Sequence, residues 1–238
     1  MSVEKSVISH FTTSLQRYVE APPPPDDFAM QAFAPYAGRR LRVLELGCGT
    51  GHRLEGLSKY YPDFRLCGID ITPVMIKTAR SVRPNHIAFV SGDCLRNPFS
   101  DGQFDAIVMY DVLHHLISGT REESNVLRER GLHELLRLLA PGGFIVLEEV
   151  CVTTAWRSRL IFSISRLISR LHVSIPSLHI HTDVVLNFFT LEELSTTLDH
   201  LGLDIVEQES DKFKGLGVRI STFGSTTHHV RYILKRKE

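Results

Sequence analysis

From Arg42 onward, short apolar runs alternate with segments whose apolar residues recur every third or fourth position. The runs Arg42–Leu46, Arg65–Asp70, Ile87–Ser91, Phe104–Tyr110 and Phe144–Val150 predict five strands, with helices over His52–Tyr61 and Glu122–Leu139. Thr72-Pro73 opens a further helix, with threonine as N-cap and proline at the first helical position, where a missing N–H costs nothing. Pro141-Gly142-Gly143 stops the long helix. Strands alternating with helices predict a parallel sheet covered on both faces.

The pattern changes at both ends. Val3, Val7, Ile8, Phe11, Leu15 and Val19 have the spacing of an amphipathic helix, which Pro22 to Pro25 end. A short helical piece follows over Asp27–Ala34. Cys151–Phe189 is the least regular stretch. Within it Trp156, Leu160, Ile161, Ile164, Leu167, Ile168 and Leu171 form an apolar stripe, and the charged residues Arg157, Arg159, Arg166 and Arg170 are all basic. Thr190 and Glu193 predict a capping box for a helix ending at Gly202, and Leu203–Glu207 and Val230–Lys235 supply two last strands. The expectation is one α/β domain over 1–238, a doubly wound, seven-stranded, mostly parallel sheet with helices on both faces. It comprises a helical cover over 1–38, a core over 41–150, a helical lid inserted over 151–189 and a C-terminal helix with two strands over 190–238.

Composition narrows the class. With 238 residues, 43% hydrophobic and 23% charged, the chain buries a core without disulfide or metal staples. Lys and Arg total 27, equal to Asp and Glu, so no nucleic-acid partner is expected. Cys48, Cys67, Cys94 and Cys151 form no C-x-x-C pair, so neither a metal site nor a disulfide framework is expected, and a reducing cytoplasm is the simplest home. No signal-peptide pattern opens the sequence, and no apolar run reaches the roughly 18 residues of a membrane span.

The candidate chemistry begins at Glu45-Leu46-Gly47-Cys48-Gly49-Thr50-Gly51, where the first strand meets a helix. Glycines there permit close ligand approach, and the helix N-terminus favours an anion. A dinucleotide site wants Gly-x-Gly-x-x-Gly; here His52 stands where its third glycine belongs, which weighs against a nicotinamide oxidoreductase. Asp70 ends the second strand, where a carboxylate can accept both ribose hydroxyls, and Asp93 follows the third.

These residues, with Asn97-Pro98-Phe99, Phe104-Asp105-Ala106-Ile107-Val108 and Leu139-Ala140-Pro141-Gly142-Gly143, resemble the class I S-adenosylmethionine-dependent methyltransferases over about Arg42–Val150. The resemblance implies a cofactor site of Glu45, Gly47, Cys48, Gly49, Gly51, Asp70, Ile71, Asp93, Cys94, Tyr110 and Asp111. In it Asp70 takes the ribose, Asp93 the adenine amino group, and Met75 or Ile71 the adenine face. Asp105, which precedes its strand, belongs to the fold, and reactive-thiol roles for Cys48 and Cys94 are not expected.

The acceptor is less legible. An oxygen acceptor needs a general base, and His115 or His114, just beyond the fourth strand, is the candidate, with His179 and His181 as further histidines. The apolar stripe over 156–171 suggests a small, partly apolar or aromatic metabolite of secondary metabolism, methylated on oxygen by in-line displacement. Carbon or nitrogen methylation, RNA or protein methylation, and a non-catalytic cofactor-binding partner protein stay open. The stripe also admits a dimer contact or a peripheral membrane contact, so monomer and homodimer are both open.

Overall fold

A computed structural model describes residues 21–171, 185–212 and 227–237, with isolated positions before residue 21. The helix expected over Val3–Val19 falls almost wholly outside the described residues, as do His179 and His181. The described chain runs α1 (Phe28–Ala32), β1 (Arg42–Leu46), α2 (His52–Tyr60), β2 (Arg65–Asp70), α3 (Pro73–Val82), β3 (Ala88–Ser91), β4 (Phe104–Tyr110), α4 (Arg121–Leu138), β5 (Leu139–Val152), α5 (Ala155–Leu171), β6 (Phe189–Thr190), α6 (Leu191–His200), β7 (Leu203–Lys212) and β8 (Thr227–Arg236).

The sheet order is β3-β2-β1-β4-β5-β8-β7. The first five strands are parallel; β8 runs antiparallel to β5, and β7 antiparallel to β8. The seven expected strands are therefore present, joined by a two-residue β6 alongside the end of β5. Central strands covered on both sides carry nearly continuous apolar runs, which is why Val43, Leu44 and Leu46 of β1 are all buried. On one face Leu132, Leu135 and Leu138 of α4 and Leu194 and Leu198 of α6 pack on Leu44, Ile107 and Leu147. On the other, Phe33, Leu54 and Ile76 pack on Val43, Val108 and Phe144.

Three local readings change. Thr72 holds the N-cap position of α3 without a side-chain capping bond, and Asp70 Oδ1 accepts the Thr72 amide hydrogen at 2.8 Å. The turn around α1 belongs to the core, with Phe33 5.1 Å from the Phe144 ring and Tyr36 stacked on it at 4.8 Å. The stripe of α5 divides. Ile161 packs with Val152 and Phe188, and Phe162 with Ile117 and Val185, whereas Trp156, Leu160, Leu167 and Leu171 are exposed. Ser158 anchors α5, its hydroxyl donating to Phe188 O at 2.6 Å. The predicted capping box of Thr190 and Glu193 forms, and Thr120 with Glu123 makes a second that the sequence reading did not single out. Asp105 acts within the fold, taking the Arg42 guanidinium at 2.7 and 2.9 Å. No described helix is long and apolar enough to cross a membrane.

Candidate functional site

The carboxyl ends of β1, β2, β4 and β5 meet along one edge of the sheet, where open α/β folds bind ligands. The loop leaving β1 turns on three left-handed glycines, Gly47, Gly49 and Gly51. Two of them are glycine for different reasons. A β-carbon on Gly51 would sit 2.5 Å from the Phe89 ring, so packing requires its absence. One on Gly49 would meet nothing within 4 Å, so there it is the open side of the loop that stays bare for a ligand.

The loop is tied to β2. Ile69 O accepts the amide hydrogens of Gly47 and Cys48 at 2.8 and 3.1 Å, and Asp70 Oδ2 accepts that of Gly49 at 2.9 Å. Burial raises the Asp70 carboxyl, while the Thr72 and Gly49 amides pull it back. Each carboxylate oxygen keeps capacity for a further donor after these bonds, which suits a diol. Parallel pairing sets Asp70 against Ser91, so the loop carrying Asp93 leaves β3 beside it. Asp93 caps the turn Cys94–Arg96 through the Leu95 amide at 2.8 Å. Of the two residues expected over the adenine, Met75 is buried in the core and Ile71 alone stays part-accessible. Burial raises the thiols of Cys48 and Cys94, the latter to about 12, so neither is a nucleophile near neutral pH.

Glu45 lies beneath this loop, buried, with Oε2 lacking a hydrogen-bond partner. Burial pushes its carboxyl up to about 8 against the opposing Arg53 charge. The unpartnered Glu45 oxygen is an acceptor that a cationic ligand group would satisfy, and the amino-acid end of S-adenosylmethionine offers one. The set of Glu45, bare Gly49, Asp70 and Asp93 therefore fits that cofactor.

A second cluster lies at the ends of β4, β5 and β8. The Arg53 guanidinium covers the buried Tyr110 ring, 3.7 Å from its centroid, and stands 3.7 Å from Glu148. Tyr110 thus lies under Arg53. Asp111, the one described non-glycine residue with positive φ, turns the chain out of β4. Its two carboxylate oxygens are each 3.2 Å from His229 Nε2, and Glu148 Oε1 is 2.9 Å from the same nitrogen. Burial opposes the proton on His229, but both carboxylates hold it, raising the imidazole to about 10. Burial would raise the Asp111 carboxyl, yet the His229 hydrogen bond and nearby cationic charge keep it below the usual range.

The histidine pair divides as well. His114 is buried against Phe188 and hydrogen-bonded through Nδ1 to Glu149, whose other oxygen accepts the Leu113 amide at 2.9 Å. It braces the turn Leu113–His115. His115 is only part-buried and lies 4.1 Å from the His114 ring. Arg53, Glu148, Glu149 and His229 escaped the sequence reading. The adjacent acids Glu148 and Glu149 inside an otherwise apolar stretch of β5 were the available signal.

Residues 44–147 match the family model described as "Methyltransferase domain". Over 111 residues the chain is 35% identical to a demethylmenaquinone methyltransferase of Thermus thermophilus, a match covering 45% of this chain and 46% of that one. The chain thus spans under half the length of this curated relative. Among solved structures it resembles a SAM-dependent methyltransferase of Methanosarcina mazei, with TM-score 0.60 and 22% identity over 86% of this chain and 96% of that one. It also resembles the [4+2]-cyclase SpnF, with TM-score 0.58 and 17% identity over 83% and 74%. At these identities the structural likenesses concern the fold.

Proposed function

We propose, for a chain whose residues 44–147 form a class I S-adenosylmethionine-dependent methyltransferase domain, that the protein methylates a small, partly apolar or aromatic acceptor on oxygen. The observation that carries this reading is the clamp of Asp70 on the Gly49 amide. It fastens to the glycine loop the carboxylate that this reading assigns to the ribose.

When bound, the cofactor supplies an electrophilic methyl group on a sulfonium. The chain's own residues supply position. Asp70 would accept the ribose hydroxyls, Asp93 the adenine amino group, and Ile71 would cover the adenine. Glu45 would hold the ammonium, whose charge would draw its carboxyl toward the ionised form. In-line displacement demands alignment and a dry pocket more than acid–base help. For an oxygen acceptor His115 is the candidate base, because His114 is committed to Glu149. A relative named for demethylmenaquinone supports an apolar aromatic acceptor.

The likeness to a [4+2]-cyclase favours one second reading, that the same cofactor fold serves something other than methyl transfer. A methyl-labelled cofactor, incubated with a panel of phenolic and lipophilic hydroxy acceptors, separates the two. Label passing to an acceptor, and lost in Asp70→Ala, supports the transferase. Tight cofactor binding with no transfer to oxygen, nitrogen or carbon in any acceptor supports the second reading.

A further inference from the structure

We propose that Asp111, Glu148 and His229 bind a divalent first-row transition-metal ion, a site that stands independently of methyl transfer. One donor atom from each lies within 4.8 Å of the others. Donors sharing one ion at about 2.1 Å stand roughly 3 Å apart, and here His229 Nε2 is 2.9 Å from Glu148 and 3.2 Å from both Asp111 oxygens. That nitrogen carries at most one hydrogen, yet three carboxylate oxygens converge on it. Asp111 presents its two oxygens equidistantly, so a single N–H points cleanly at neither. A divalent ion in that space takes the imidazole lone pair and a carboxylate from each side together.

The donor chemistry selects the ion. One imidazole with two carboxylates and no thiolate suits Mn²⁺, Fe²⁺ or Zn²⁺ over a hard ion that prefers oxygen alone or a soft one that prefers sulfur. A second triad shares Asp111, with His114 and Glu149. Beside the shared Asp111, 39% exposed, its histidine and glutamate side chains are 8% and 0% exposed, against 16% and 6% for His229 and Glu148. The Glu148 triad is therefore the more accessible of the two at the sheet's carboxyl edge. The His114–Glu149 pair steadies the turn beyond Asp111. Arg53 and Arg231, the latter 3.3 Å from Glu148 Oε2, orient Glu148 and are the charges that compete with the ion.

The test is a Mn²⁺ titration of chelator-treated protein, followed by calorimetry and by the free-ion electron paramagnetic resonance signal. One Mn²⁺ per chain with micromolar affinity is expected, weakened at least tenfold in Asp111→Asn and His229→Ala. Glu134→Gln, which alters a surface pair with Arg137, leaves it unchanged. Far-UV circular dichroism checks each variant, and His229→Asn replaces the alanine variant if that one does not fold. No saturable binding by the folded wild type overturns the proposal and leaves His229 as a proton-holding partner of two carboxylates. Binding that both variants retain overturns it too, by placing the ion elsewhere.

Discussion

Asp70 Oδ2 accepts the amide hydrogen of Gly49 at 2.9 Å, so the carboxylate ending β2 is fastened to the loop ending β1. The same side chain receives the Thr72 amide at 2.8 Å and sets the start of α3. One residue thereby shapes both walls of the proposed cofactor site.

Gly49 and Gly51 of that loop separate folding from binding. Alanine at Gly49 adds only the strain of a left-handed residue, about 1 kcal/mol, because its β-carbon meets nothing within 4 Å. Alanine at Gly51 adds the same strain and forces a β-carbon to within 2.5 Å of Phe89, for a total of roughly 3 kcal/mol. Urea unfolding is expected to rank Gly51→Ala well below Gly49→Ala. Cofactor affinity in the still-folded Gly49→Ala protein falls tenfold or more.

Glu45 gives the cofactor-free protein a pH signature. Its folded carboxyl is raised from 4.5 to about 8, so the protonated form is favoured by folding. That contribution is complete below about pH 4.5 and is lost as pH rises through about 8. Relative to Glu45→Gln, wild-type stability is expected to fall by about 1.4 kcal/mol per pH unit within that window. Denaturant unfolding at pH 5, 6, 7 and 8 reads the difference. Parallel profiles for the two proteins would contradict the buried, proton-holding carboxyl.

The facing of α5 is open to a paired substitution. Phe162 is 6% exposed and Leu167 is 54% exposed. Phe162→Ala is expected to cost about 3 kcal/mol, while Leu167→Ala stays within about 0.5 kcal/mol. Thermal unfolding of the two variants checks it, and equal losses would mean that Leu167 is covered in solution.

Much of this molecule is legible in its amino-acid order. The strands are apolar runs because parallel strands are buried on both faces, and the glycine loop with Asp70 and Asp93 falls at successive strand ends. The acid–histidine cluster is not legible, since antiparallel pairing of β5 with β8 brings Val150 opposite His229 and so unites positions 111, 148 and 229 across the chain. Periodicity announced α5 as a helix but not which side faces the protein, and Ile161 and Leu160 turned out on opposite sides of that boundary. At Thr72 the residue type marks the N-cap position correctly, but its hydroxyl makes no capping bond, and the Asp70 carboxylate fixes the turn through the Thr72 amide.

The most direct test of the cofactor reading is calorimetric titration of the wild type and of Asp70→Ala with S-adenosylmethionine and S-adenosylhomocysteine. The expected result is micromolar binding of both by the wild type and a loss of at least tenfold in the variant, beyond what its own unfolding explains. A well-folded wild type that binds neither would contradict the account at its centre.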